Sequence, residues 1–103
     1  MIKEITVNEL AERLKTGEQL ELIDVCTTTE FSRAHLPNAV NIPLNLLPSA
    51  DLTAAGGRPI VFICQAGVRS IRACEIAISL GFSDVYSLAD GLKGWIESGH
   101  PYE

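Results

Sequence analysis

No stretch of this chain approaches the roughly 18 consecutive apolar residues that cross a bilayer, and its opening, "MIKEITVNEL", lacks the unbroken apolar run of a secretory signal. The expected protein is soluble and cytoplasmic, with no membrane partner. Basic residues are also scarce: 8 lysines and arginines stand against 13 aspartates and glutamates, for a net charge of -5 at pH 7. They are scattered rather than striped, so the long-range field repels phosphate backbones and nucleic acid is not an expected partner. The three cysteines, Cys26, Cys64 and Cys74, are an odd number without a C-x-x-C pair, which excludes a disulfide scaffold. The two histidines, His35 and His100, fall at no zinc-ligand spacing from paired cysteines. No G-x-G-x-x-G follows the first strand, which disfavours a dinucleotide site. No metal and no cofactor are expected.

What is present is an alternation of strand and helix. At 103 residues the chain fits one compact domain, 1–103, large enough to bury its own core. Thr6 and Glu9 have capping-box spacing, and Val7, Leu10, Ala11 and Leu14 repeat at helical spacing up to Gly17. "LELIDV" (20–25) reads as a strand. Thr27 and Glu30 repeat the capping-box spacing ahead of a short helix to about Arg33, and "AVNI" (39–42) is a strand closed by Pro43. Residues 44–55, interrupted by Pro48, suit one or two short helical turns. "IVFIC" (60–64) is an unbroken apolar run of the kind covered on both faces. A helix begins near Ser70, where Ile71, Cys74, Ala77 and Ile78 recur at helical spacing, and stops at Gly81. "DVYSL" (84–88) is a last strand before a closing helix in "GLKGWIESG". Such units predict an α/β fold with a parallel sheet of about five strands and helices on both faces. In these sheets ligands bind at the carboxyl ends of the strands, where Asp24–Cys26 and Cys64–Arg69 fall.

The segment "CQAGVRS" (64–70) carries the chemistry. A loop this short between strand and helix must curl tightly, and Gly67 can take the positive φ that the curl needs. Gln65, Ala66, Gly67, Val68, Arg69 and Ser70 then offer successive amides as an anion-binding nest backed by a helix amino terminus. An ordinary cysteine, with a pKa of about 8.5, is only about 3% thiolate at pH 7. A helix terminus or a cation can bring that value to about 3.5–7.5, making Cys64 the expected nucleophile. Arg69 is expected to present its planar fork to an incoming oxyanion. Four residues between Cys64 and Arg69 make a narrow ring of amides. A tetrahedral phosphate needs a wider bowl, whereas the terminal sulfur of a persulfide fits the smaller one.

On "LIDV", "EFSRAHLPNAVNIPL", "PIVFICQAGVRS", "LGFSDVYSL" and "GLKGW", the chain resembles the single-domain sulfurtransferases of the rhodanese family over nearly its whole length. The resemblance implies a rhodanese-like three-layer sandwich and a sulfurtransferase that cycles Cys64 between thiol and persulfide. Thiosulfate or a persulfide would be the donor, and a thiol or cyanide the acceptor; a sulfur-relay protein is a further candidate partner. An alternative is a sulfur carrier or regulatory module that a partner loads and that turns over little free thiosulfate. Related phosphatases and arsenate reductases carry a loop one residue longer. Two positions depart from the family: Cys26 stands where Arg usually follows "DV", which is expected to leave Glu30 without its salt bridge, and Asp90 stands where Gly is common.

Around the loop each residue also has a plainer reading. Cys26 is either a buried replacement or a second thiol able to resolve a persulfide, and Cys74 belongs to the core face of its helix. Asp24 is expected to cap backbone amides. Glu30 and His35 are expected to be structural supports, with no protease-like pairing of His35 and Cys64.

Overall fold

The computed structural model describes residues 2–103. Its elements run β1 (Lys3–Ile5), α1 (Val7–Lys15), β2 (Glu21–Asp24), α2 (Thr28–Arg33), β3 (Val40–Asn41), two 3-10 turns (Leu44–Ser49 and Leu52–Ala55), β4 (Ile60–Ile63), α3 (Arg69–Ser79), β5 (Val85–Leu88) and α4 (Gly91–Glu97). The five strands form one parallel sheet in the order β1-β5-β4-β2-β3. Helices cover both of its faces.

Four strands stand where the apolar runs place them; β1 is the fifth, and no run announced it. Two of its three residues are the charged, exposed Lys3 and Glu4, and only Ile5 is buried. It exists because β5 offers a free edge, to which it pairs from Lys3↔Tyr86 to Ile5↔Leu88. Charged side chains on a short edge strand also discourage pairing with another molecule.

Both capping boxes form. Thr6 Oγ1 accepts from the Glu9 amide at 3.1 Å while Glu9 Oε1 accepts from the Thr6 amide at 2.8 Å. Thr27 and Glu30 repeat the exchange at 3.2 and 2.9 Å. Each box satisfies two amides that a helix start would otherwise leave open.

Strand β4 lies at the centre and is buried throughout. Ile60, Phe62 and Cys64 face a cluster with Ile23, Ala73, Cys74 and Ala77, whereas Val61 and Ile63 face Leu10, Leu92 and Trp95 on the other side. Period-two alternation thus sends Cys64 to the α3 side of the sheet. Asp24 pairs with Ile63 in register, so Cys26 and Cys64 leave neighbouring strands at the same edge.

After β5 the chain turns sharply to bring the start of α4 against the Cys64 loop. Asp90 takes φ 65° and Gly91 φ 56°. Aspartate tolerates this left-handed conformation better than most side chains, which lets a non-glycine residue stand at 90. Gly91 has no such latitude: a Cβ there would lie 2.4 Å from the Cys64 carbonyl oxygen and 2.6 Å from that of Gln65. Gly91→Ala should therefore cost about 3 kcal/mol or more and lower Tm by at least about 12 °C. Asp90→Gly should change stability by less than about 1 kcal/mol. Thermal unfolding of the two variants checks both values.

Candidate active site around Cys64

The inward turn of the loop is dictated from outside it. The carbonyls of Cys64 and Gln65 accept hydrogen bonds from the amides of Leu92 (2.8 Å) and Lys93 (3.0 Å) at the start of α4. In a trans peptide the amide points opposite to the carbonyl. Tying these two carbonyls to α4 therefore turns the amides of Gln65 and Ala66 into the loop. Gly67, at φ 90°, completes the curl where a Cβ would press on the Asp90 amide at 3.1 Å and the Leu88 carbonyl at 3.2 Å.

Cys64 Sγ sits at the focus of this ring and is only 1% exposed. It accepts from the Gly67 amide at 3.1 Å and the Ser70 amide at 3.4 Å, and the Ser70 hydroxyl lies 3.6 Å away. Burial works against ionisation, but hydrogen bonds from the Ser70 hydroxyl and amide and from the Gly67 and Ala66 amides outweigh it and lower the Cys64 pKa. The Ser70 hydroxyl is in turn 2.6 Å from that of Ser87, both wholly buried. If Ser87 donates to Ser70, Ser70 is free to donate to an ionised sulfur.

Among the described residues, the amides of Gln65, Val68 and Arg69 have no protein acceptor. Val68 caps α3 with no side-chain bond and stands 74% exposed, so the outer rim is open backbone. These are the donors a second sulfur or an oxyanion would meet.

Arg69 differs from the expectation of a free fork. Its Nη1 donates to Glu30 Oε1 at 2.8 Å and its Nη2 to Oε2 at 3.0 Å, a bidentate pair that occupies the guanidinium. Glu30 therefore keeps a salt bridge after all, with a partner 39 residues away. The pair also explains how a cation is tolerated in the first turn of α3, where the macrodipole disfavours it. The Arg69 bonds, followed by the Thr27 amide, pull the Glu30 pKa down to about 2.

Cys26 is 1% exposed, with Arg69 Nη2 3.8 Å from its sulfur. Burial, followed by a hydrogen bond to the Asp24 carboxylate, pushes its thiol up to about 12, so it stays protonated at neutral pH. Asp24, fully buried, accepts from the Cys26 amide at 2.9 Å through Oδ1, the expected capping role. Burial is the main cause of its raised pKa. Asn41 Nδ2 donates to the carbonyls of Asp24 and Cys26, at 3.0 Å each, and so secures the end of β2.

His35 is occupied away from Cys64. Its ring stacks on Phe31 at 3.9 Å, Nδ1 lies 2.7 Å from the Phe31 carbonyl, and its backbone exchanges two 2.8 Å hydrogen bonds with Glu103. Cys74 is fully buried, and burial raises its thiol to about 12. All three cysteines are free. A cleft of about 1160 Å³ between α1, Trp95 and Pro101 shares no residue with the Cys64 loop.

Ser87, Asn41 and Gly91 escaped the sequence reading. Gly91 was the most accessible of the three, since a glycine that opens a helix hints at a close approach. Ser87 and Asn41 are ordinary polar residues in short strands, and only their partners give them meaning.

The chain belongs to the rhodanese-like domain family, whose description matches residues 6–98. It is 31% identical to a sulfurtransferase of Allochromatium vinosum, over 98% of this chain and 94% of that protein. It is 29% identical to the thiosulfate sulfurtransferase GlpE of Shewanella oneidensis, over 93% of this chain and 94% of that one. A human single-domain sulfurtransferase has the same fold, with a TM-score of 0.79 at 28% identity, covering 94% and 97% of the two chains.

Two predictions follow from the site's electrostatics. Removing the Ser70 hydroxyl takes a hydrogen bond from the ionised sulfur, worth about 1.5 kcal/mol, so Ser70→Ala should cut the ratio of thiolate to thiol about tenfold. Thiolate absorbance against pH in a Cys26→Ser, Cys74→Ser background measures it. The Glu30 carboxyl titrates lower in the folded chain than the usual 4.5, so its stabilisation is present above about pH 4.5 and is lost as pH falls towards about 2. The stability gap between the wild type and Glu30→Gln at pH 7 should close across that window in urea titrations.

Proposed function

We propose that the protein is a thiosulfate or persulfide sulfurtransferase whose catalytic residue is Cys64. The single observation that carries this reading is the buried Cys64 sulfur, held by the Gly67 and Ser70 donors beneath a rim of amides without protein partners. The Cys64 thiolate attacks the outer sulfur of the donor, forming a bond to it as the donor's own S–S bond breaks. The leaving group, sulfite from thiosulfate or a thiolate from a persulfide, departs with the electron pair. A thiol or cyanide then takes the outer sulfur and returns Cys64 to thiolate. The lowered Cys64 pKa favours the thiolate nucleophile, and each leaving group departs as an anion that takes any proton it needs from solvent, so no general base is needed.

Gln65, Ala66, Gly67, Val68 and Arg69 serve this chemistry through backbone amides that hold the outer sulfur. Ser70 acts through both its amide and its hydroxyl. Cys26 is a packed, protonated neighbour rather than a second reacting thiol, because a thiol titrating near 12 supplies almost no thiolate. Three free cysteines suit a reducing compartment, and the cytoplasm is the proposed location.

A second reading is a carrier loaded by a relay protein. The occupied Arg69 fork favours it, since a small anionic donor finds no uncommitted guanidinium at the loop.

Intact mass after incubation with thiosulfate or with cysteine persulfide should show the gain of one sulfur atom, abolished in Cys64→Ser and kept in Cys26→Ser. Sulfur gain with slow cyanide turnover would select the carrier. Phosphatase activity without any sulfur adduct would overturn both readings.

A further inference from the structure

The proposed reaction needs an anionic donor to approach an anionic nucleophile. A ring of neutral amides helps, but the formal charges around the loop decide how much negative charge the donor can bring. Two cations stand beside it, Arg69 within the loop and Lys93 at the start of α4. Both are matched or outnumbered.

Arg69 gives both nitrogens of its fork to Glu30, at 2.8 and 3.0 Å. Glu30 cannot swing aside freely, because Oε1 also accepts from the Thr27 amide at 2.9 Å as part of the capping box that starts α2. Lys93 lines a groove of about 380 Å³ that reaches the loop at Ala66, and Asp90 and Glu97 line the same groove. Cys26, whose sulfur lies 3.8 Å from Arg69 Nη2, is a neutral thiol and adds no charge. The two flanks of the loop therefore carry three carboxylates, Glu30, Asp90 and Glu97, against the two cations Arg69 and Lys93.

We propose that Glu30 is a specificity-determining residue: by neutralising Arg69 it makes the Cys64 loop select a monoanionic persulfide donor over dianionic thiosulfate. This rests on the reading of Cys64 as the sulfur-accepting nucleophile. The two loading reactions are otherwise alike. With thiosulfate, the Cys64 thiolate bonds to the outer sulfur, the bond from that sulfur to the sulfonate sulfur breaks, and sulfite leaves with the pair and two negative charges. With an alkyl persulfide, the bond to the alkyl-bearing sulfur breaks, and a thiolate leaves with the pair and one charge. Each unit of donor charge near Glu30 costs free energy, so the dianion is penalised more.

Single-turnover loading of Cys64 from thiosulfate and from cysteine persulfide, followed by intact mass, tests the assignment in the wild type and in Glu30→Gln. Glutamine at the third helical position preserves the capping box, and a melting curve reports whether the variant is folded. Freeing the fork should raise the thiosulfate loading rate about tenfold and the persulfide rate by less than about threefold. An unchanged ratio of the two rates in Glu30→Gln overturns the proposal. If the variant does not melt cooperatively, the wild type carries the test through salt. Added salt should speed thiosulfate loading more than persulfide loading, and equal or reversed slopes overturn the proposal. A wild-type Cys64 that accepts sulfur from neither donor overturns the sulfurtransferase reading as well, a result distinct from an unchanged ratio.

Discussion

Two hydrogen bonds organise the site: the amides of Leu92 and Lys93 donating to the carbonyls of Cys64 and Gln65. A loop of six residues has no internal reason to aim its amides inward, since a peptide plane can flip when nothing holds its carbonyl. The start of α4 provides the hold. It has open amides because every helix start does, and no side chain caps it. The loop carbonyls are the cap, and the inward amides are the other side of the same two peptide planes.

That contact in turn explains the backbone around it. Gly91 is glycine because the Cys64 and Gln65 carbonyls occupy the space of a Cβ, and Gly67 because Leu88 and Asp90 do. Asp90 accepts a left-handed conformation, and Gly94 leaves room for its side chain, since a Cβ at 94 would lie 2.5 Å from that of Asp90. Beneath the loop, Ser87 and Ser70 extend the donor set into the sheet, so the sulfur is held by the backbone above and by a buried hydroxyl pair below. A cysteine that burial alone would make inert, as it does Cys26 and Cys74, is instead shifted towards the thiolate.

Charge at the site is organised by a second contact, between Arg69 and Glu30. It joins the first turn of α3 to the first turn of α2, and each helix gains from it. Glu30 lies at the positive end of α2, where a carboxylate belongs, and Arg69 is tolerated at the positive end of α3 only with an anion beside it. The departure from the family at Cys26 thus does not leave Glu30 unpaired. Glu30 pairs with the loop arginine, and what the loop leaves open is backbone amides rather than a free cation.

Much of this could be read along the chain. The apolar runs at 20–25, 39–42, 60–64 and 84–88, the two capping boxes and the C-x-x-G-x-R-S pattern are local, and local pattern follows from helix and strand periodicity and from the one residue that turns with positive φ. Strand β1 was not legible, because an edge strand with one buried residue carries no periodicity and is defined by its neighbour. The partner of Arg69 was not legible either. Its fork could face a substrate or a carboxylate, and residues 39 apart have no spacing rule to choose between them. The sequence by itself determined which residue could be the nucleophile, that it ends a buried strand, and that a tight turn and a helix follow it. Tertiary structure alone decided which way the loop amides face, whether Cys26 is a second reactive thiol and whether the arginine is free. Those depend on hydrogen bonds and ion pairs between segments that meet only once the sheet has formed.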